Sequence, residues 1–196
     1  MTADPVKILN IIGSTRAGRF APTVARWFES YLRQQEGLVV ETLDLVEAPV
    51  PATLPAMNVP LGERDAALLA AVSPKLEDAD AFVLITPEYN RSFPAALKNA
   101  IDWHATQWRA KPVGFVSYGG ISGGLRAVEH LRLVLAELHA VTVRDSVSFA
   151  NVWEKFGSNG APIDPRAMHA AARLTNQLLW WARALRTARL GMPYVA

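Results

Sequence analysis

Apolar residues follow two patterns along the chain, and the two patterns alternate. Short runs rich in Val, Ile, Leu and Phe that stop at glycine, proline or a polar segment predict buried strands. Longer stretches with apolar positions three and four residues apart predict amphipathic helices. The predicted strands are residues 6–12, 38–46, 81–86, 112–118 and 141–149. The predicted helices are residues 22–35, 61–76, 92–108, 124–139 and 164–190. The prolines within residues 47–60 predict a long loop between the second strand and the second helix.

This alternation of strands and helices is typical of a parallel sheet that is covered by helices on both faces. Five strands suit the doubly wound order 2-1-3-4-5 better than the six-stranded arrangement of dinucleotide-binding domains. In such a sheet the ligand lies at the carboxyl ends of the strands, where the strand order reverses. At 196 residues the chain is short for two separate cores, so we expect one α/β domain over residues 1–196.

Composition narrows the chemistry that the chain can perform. It has no cysteine, which excludes disulfides, thiolate metal sites, iron–sulfur clusters and cysteine nucleophiles, so redox chemistry must come from a bound cofactor. A formal net charge of +2 gives little reason to expect nucleic acid. No apolar stretch approaches the roughly 20 residues of a membrane span, and the first residues lack the pattern of a secretory signal. We therefore expect a cytoplasmic protein without nucleic-acid or membrane partners.

The loop after the first strand, residues 13–20, has the sequence GSTRAGRF and indicates a phosphate site. Successive backbone N–H groups before a helix attract an anion, and Arg16 and Arg19 add positive charge and paired donors. The dinucleotide fingerprint GxGxxG is absent because Thr15 stands at its second glycine. The P-loop motif fails because Arg19 and Phe20 replace its lysine and its magnesium-binding hydroxyl. A phosphate bound without magnesium remains, with a plain strand-to-helix turn as the alternative.

Two further loops offer a place for a flat ring. Residues 86–94, TPEYNRSFP, combine a proline-fixed turn with an aromatic side chain and amide donors, which suits a planar heteroaromatic group. Residues 117–124, SYGGISGG, carry glycines that let the backbone approach a ligand closely and adopt positive φ. The alternatives are a capped loop with an incidental tyrosine and a merely flexible turn.

These three segments stand in the order and spacing of a known family. The stretches GSTR, TPEYNRSFPAALKNAIDW and SYGGISGG make the chain resemble the NADPH-dependent FMN reductase family over about residues 6–140. The resemblance implies a flavodoxin-like three-layer sandwich, FMN as the bound cofactor, NADPH or NADH as cosubstrate, and a homodimer or homotetramer. Because Trp180 and Trp181 are adjacent in the last predicted helix, one of them should face outward, and a subunit interface would bury it.

The resemblance also implies roles for particular residues. It assigns the FMN phosphate to Ser14, Arg16, Arg19 and Phe20, the isoalloxazine to Pro87, Glu88, Tyr89 and Asn90, and its pyrimidine end to Ser117, Tyr118, Gly119 and Gly120. Arg19 stands where many relatives have a small hydroxyl residue. We expect no catalytic side chain, because the flavin carries the chemistry, and no metal, because the four histidines lack ligand spacing.

The function that follows is an NAD(P)H-dependent FMN reductase, or quinone-type reductase. A hydride would pass from NAD(P)H to N5 of FMN, and the electrons then to a quinone, an azo compound, a metal ion or free flavin. The alternative is a non-catalytic flavin-binding electron carrier or redox sensor of the same fold. Carriers of this fold are usually strongly acidic, whereas this chain is close to charge balance.

Overall fold

A computed structural model describes residues 4–195 of the chain. The strands are β1 Val6–Ile12, β2 Leu38–Asp44, β3 Ala81–Pro87, β4 Pro112–Gly119, β5 Val141–Thr142 and β6 Val147–Ala150. The helices are α1 Ala21–Arg33, α2 Glu63–Ala70, α3 Ser73–Asp78, α4 Ala95–Asp102, α5 Leu125–Glu137 and α6 Arg166–Gly191, with a 3₁₀ turn at Val152–Glu154. No helix within the described residues is long and apolar enough to cross a membrane.

The strands form one parallel sheet in the order β2-β1-β3-β4-β5, and β6 pairs with β4 beyond the end of β5. The predicted order and the flavodoxin-like class are confirmed. The prediction of a single strand over 141–149 is wrong, because that segment forms β5 and β6 with an interruption between them. The Arg132 guanidinium donates to the backbone oxygens of Val143 and Arg144 at 2.8 and 3.0 Å, so the interrupted backbone keeps its hydrogen bonds.

Alternating side chains of the strands divide the core into two layers. From β1, Ile8 packs on the face covered by α1 and α6, whereas Leu9 packs on the face covered by α3, α4 and α5. Every residue of β3 is buried, as expected for a central strand with helices on both sides. This arrangement covers both faces of the central strands, and the loops at the carboxyl end of the sheet are free to form a site.

Prolines determine two helix boundaries that the apolar pattern did not predict. The predicted helix over 61–76 is split into α2 and α3, because Pro74 cannot donate a backbone hydrogen bond and fits only the first turn of a new helix. The predicted helix over 92–108 is shorter, since Pro94 has extended backbone with ψ 142° and α4 begins after it. The proline-rich loop before α2 is held by Asn99 and Trp103, whose side chains both donate to the oxygen of Pro51 at 2.7 Å.

A charged cluster holds α6 at the amino end of the sheet. Asp80 accepts a hydrogen bond from Arg186 at 2.9 Å and forms a longer ion pair with Arg189 at 3.4 Å. Arg189 also donates to the oxygen of Ala110 at 2.6 Å. The arginines of the last helix thus include two that fasten it to the sheet.

Beside this cluster lies a buried lysine. Lys111 is 7% exposed, and its Nζ donates to the backbone carbonyl oxygens of Leu76 and Glu77 at 2.8 Å each. Burial and the nearby charge of Arg189 lower the pKa of Lys111 from 10.5 to about 8.

Candidate functional site

A cleft of about 290 Å³ opens at the carboxyl end of the sheet, between the loops that follow β1, β3, β4 and β6. All the cofactor residues implied by the sequence line this cleft except Asn90 and Ser117. Two residues that sequence reasoning missed, Val152 and Trp153, line it as well. The three loops picked out in the sequence therefore meet at one place, together with a fourth segment.

One end of the cleft is the loop of residues 13–20, which leads into the N-terminus of α1. Within residues 4–195, the hydrogen bonds of the structure leave the N–H groups of residues 14–18 without an acceptor. Gly13 packs closely against α4, and a Cβ there would lie 2.9 Å from a methyl group of Leu97, which would have to move. Free donors at the positive end of a helix dipole form an anion site.

The two arginines of this loop are placed differently. Arg19 donates to both carboxylate oxygens of Asp44 and to the backbone oxygen of Ser14, all at 2.6 Å. The side chains of Arg19 and Asp44 are only 14% and 12% exposed. Arg16 is exposed, and no ion pair among the described residues involves it. Arg19 therefore fastens the loop to the end of β2, and Arg16 is the cation available to a ligand.

Three hydroxyl groups meet at the floor of the cleft. Ser14 Oγ and Tyr89 Oη are hydrogen-bonded at 2.7 Å. Tyr118 packs in the core layer of α1, with its hydroxyl near Ser14 and Arg19, and burial raises its pKa. The Tyr118 hydroxyl is buried and has no hydrogen-bond partner within residues 4–195. A buried hydroxyl without a partner costs about 1–3 kcal/mol.

Glu88 joins the loop after β3 to the start of α5. It accepts hydrogen bonds from Ser122 Oγ at 2.5 Å and from the backbone N–H and side chain of Arg126 at 3.2 and 2.9 Å. Burial alone would raise the pKa of Glu88, but the bonds from Ser122 and Arg126 outweigh it and hold that pKa below its ordinary value. Glu88 is thus an ionised clamp between two walls of the cleft.

The residues after Glu88 form a tight two-residue turn. Tyr89 and Ser92 exchange backbone hydrogen bonds of 2.8 and 3.0 Å, and the residues between them, Asn90 and Arg91, have φ of 49° and 70°. Positive φ at both central positions is the geometry of a type I′ turn, which asparagine tolerates and arginine does not favour. Asn90 lies in this turn, just beyond the lining of the cleft.

The glycine loop after β4 is packed tightly against the sheet. Ser117 is fully buried and donates to the oxygen of Gly123 at 2.8 Å, so its side chain supports this loop from below. Gly124 has φ of 85°, and a Cβ there would lie 2.7 Å from that of Ser117. Gly119 and Gly120 remain at the cleft surface and give it a wall of bare backbone.

The fourth wall comes from the 3₁₀ turn after β6. Val152 is buried, whereas Trp153 is 63% exposed, and its Cη2 lies 3.9 Å from the position that a Cβ of Gly120 would take. The sequence did carry one signal for Trp153 as a cleft residue, its position shortly after the last strand. The carboxyl ends of all strands in a parallel sheet lie at the same edge, where the ligand binds.

No group of three His, Asp or Glu side chains within the described residues is placed to hold a metal ion. His104 is buried, hydrogen-bonded to Ser73 Oγ at 3.0 Å and to the oxygen of Ala100 at 2.8 Å. Burial lowers the pKa of His104. This histidine therefore links α3 to α4 as a structural group.

Comparison with known proteins agrees with this geometry. The sequence profile of the family described as NADPH-dependent FMN reductase matches residues 6–154. An NAD(P)H-dependent FMN reductase of Schizosaccharomyces pombe is 38% identical over 122 residues, which are 60% of this chain and 60% of that protein. A quinone reductase of Escherichia coli K12 is 30% identical over 148 residues, 72% of this chain and 75% of the relative.

Solved structures show the same fold. The flavoenzyme FerB of Paracoccus denitrificans, an NAD(P)H:(acceptor) oxidoreductase, aligns with a TM-score of 0.68 at 23% identity, over 91% of this chain and 98% of FerB. The residues of the cleft fit a flavin phosphate ester, with free N–H donors and Arg16 at one end and glycine backbone at the other. The chain belongs to the NADPH-dependent FMN reductase family, and this membership implies FMN and NAD(P)H as its cofactors.

Proposed function

We propose that the chain is an FMN-dependent NAD(P)H oxidoreductase whose acceptor is a quinone, an azo compound, a metal ion or free flavin. The observation that carries the proposal is the shape of the cleft, with unpaired backbone donors at one end and a glycine wall at the other. The names of the relatives, an FMN reductase and a quinone reductase, support it.

At the phosphate end, the chain supplies charge and donors that need no metal. The N–H groups of residues 14–18, the hydroxyl of Ser14 and the guanidinium of Arg16 would hold the phosphate. The Arg19–Asp44 pair keeps this loop in position before any ligand arrives. Binding then requires little reorganisation of the backbone, which favours affinity.

At the ring end, the chain supplies position. Glu88 fixes the loop after β3 relative to the start of α5, and the backbone of Gly119 and Gly120 lets a flat ring approach closely. Held there, FMN would supply the two-electron redox chemistry between the reduced nicotinamide and the acceptor. The ionised state of Glu88 makes it unsuitable as a proton donor, so the side chains here serve placement.

The test is anaerobic reduction of the FMN-loaded protein. We expect NADPH or NADH to bleach the flavin absorbance, and a panel of a quinone, an azo dye, ferricyanide and free FMN to identify acceptors that restore it. A protein that binds FMN but is not bleached by either nicotinamide would instead be an electron carrier. A protein that does not take up FMN at all would contradict the proposal.

We also propose that two or more copies assemble in the cytoplasm, each folded as one domain over residues 1–196. The exposed face of α6 supports assembly, because Trp180 and Trp181 are 63% and 37% exposed and stack edge to face at 4.9 Å. Large exposed aromatic patches favour protein contacts. Sedimentation of the wild type and of Trp180→Glu tests this, and a wild type that sediments as a monomer at micromolar concentration would refute it.

A further inference from the structure

Trp153 stands out because a large aromatic side chain is left in solvent on a rigid part of the chain. The indole is 63% exposed, and its Nε1 makes one 3.3 Å contact to its neighbour Glu154. Exposing an indole forgoes its burial, which would otherwise contribute a substantial hydrophobic stabilisation. Because the indole also lines the cleft, its exposed apolar area is available to a ligand bound there.

The backbone beneath Trp153 is held on both sides. The N–H of Asn151 donates to the oxygen of Gly120 at 2.9 Å, and Val152 is 4% exposed. Three residues after Trp153, the ring of Phe156 packs against Phe149 with their centroids 4.9 Å apart. The indole is thus presented to solvent by an anchored turn, and its exposure is a property of the fold.

The position of Trp153 within the cleft identifies what it faces. It lies against Gly120 and lines the cleft together with Gly119 and Glu88. In the proposed function the isoalloxazine lies along Glu88 and the backbone of Gly119 and Gly120. We propose that Trp153 is a flavin-binding residue whose indole contacts the isoalloxazine ring and forms the aromatic wall of its site.

This assignment rests on the proposed function and adds a consequence for it. A flat ring between the glycine backbone and an indole gains stacking on one side, which raises its affinity without adding charge. The nicotinamide and the acceptor would then approach the part of the ring that Trp153 does not cover. Trp153 would thereby influence which surface of the cofactor both substrates reach.

The experiment compares Trp153→Phe and Trp153→Ala with the wild type and with Trp180→Phe. Trp180 is a matched control because it is also 63% exposed but lies on α6, away from the residues that line the cleft. FMN is titrated into cofactor-free protein to obtain Kd, and the emission of the bound flavin is recorded, since an indole in contact with isoalloxazine quenches it. Thermal unfolding of the cofactor-free variants confirms that they are folded.

We expect Trp153→Ala to raise the Kd for FMN about tenfold and to increase the emission of the bound flavin. Trp153→Phe should keep most of the affinity, and Trp180→Phe should change neither quantity. Unchanged Kd and emission in Trp153→Ala would overturn the assignment, and so would a change confined to the KM of NADPH or of a quinone. Failure of the wild type to bind FMN would instead refute the proposed function, so the two failures are distinguishable.

Discussion

Replacement of the two arginines of the phosphate loop should damage the protein in two different ways. Arg19 donates three hydrogen bonds of 2.6 Å, two to Asp44 and one to Ser14, from a side chain that is 14% exposed. Removing one partner of a buried ion pair costs about 3–5 kcal/mol, and with some remaining exposure we expect about 2–3 kcal/mol for Arg19→Met. In a domain of this size, that loss lowers Tm by roughly 6–9 °C.

Arg16→Ala should leave the cofactor-free protein unchanged in Tm, because no described residue pairs with the Arg16 side chain. It should weaken FMN binding about tenfold, equivalent to about 1.4 kcal/mol, through loss of a charge-assisted contact to the phosphate. Riboflavin has the same ring without the phosphate, so its affinity should not respond to Arg16→Ala. Arg19→Met, in contrast, should weaken both ligands to a similar degree through the loosened loop.

The assay combines thermal unfolding of the cofactor-free proteins with titrations of FMN and riboflavin. Asp44→Asn is the matched variant, since it breaks the same pair from the other side and should lower Tm by a similar amount. The double variant Arg19→Met with Asp44→Leu should recover part of that loss, because no buried charge is then left alone. If Arg19→Met kept its Tm and lost affinity for FMN alone, Arg19 would be a phosphate ligand and the reasoning would be wrong.

Three further substitutions test other parts of the structure. Glu88→Gln should reduce stability at neutral pH by about 1–2 kcal/mol in urea unfolding. Because the pKa of Glu88 is lowered on folding, that difference should shrink as the pH falls below 4.5 and vanish once the pH is below the folded pKa. Arg91→Gly should raise Tm by roughly 2 °C, since glycine accepts the φ of 70° without strain, and an unchanged or lower Tm would refute the strain. For Lys111, the pKa is about 8 in the folded protein and 10.5 when unfolded, so the unfolded chain binds more protons between these values. In urea unfolding, the free energy of unfolding of the wild type should therefore rise by up to about 3 kcal/mol relative to that of Lys111→Met as the pH rises from 8 to 10.5. A parallel pH dependence of the two proteins would contradict this.

The fold was predictable where apolar runs are long and clearly bounded. The apolar run over residues 6–12 predicted both ends of β1 correctly, and the alternation of strands and helices predicted the strand order. Prediction failed where a side chain from elsewhere replaces a regular hydrogen bond. The break between β5 and β6 is stabilised by Arg132 from α5, a contact that no local pattern contains.

The candidate site was predictable in its location and less so in the direction of its side chains. Motif order brought the three loops together, yet Ser117 supports the glycine loop from below and Tyr118 lies at the floor near Ser14. In a strand, neighbouring side chains point to opposite faces, so these directions depend on register and twist. Trp153 was missed because it lies in an irregular segment that carries no motif.

The ion cluster around Asp80 and the cleft lie at opposite ends of the same strands. β4 runs the length between them, and its residues Pro112–Gly119 span about 25 Å at 3.3 Å per residue. Substitutions so far apart, without shared partners, change free energy additively. Thermal stability can therefore be engineered by substitutions around Arg186 and Arg189, while substrate preference is altered by substitutions at the cleft. Variants selected at one end can be combined with variants selected at the other without a new round of selection.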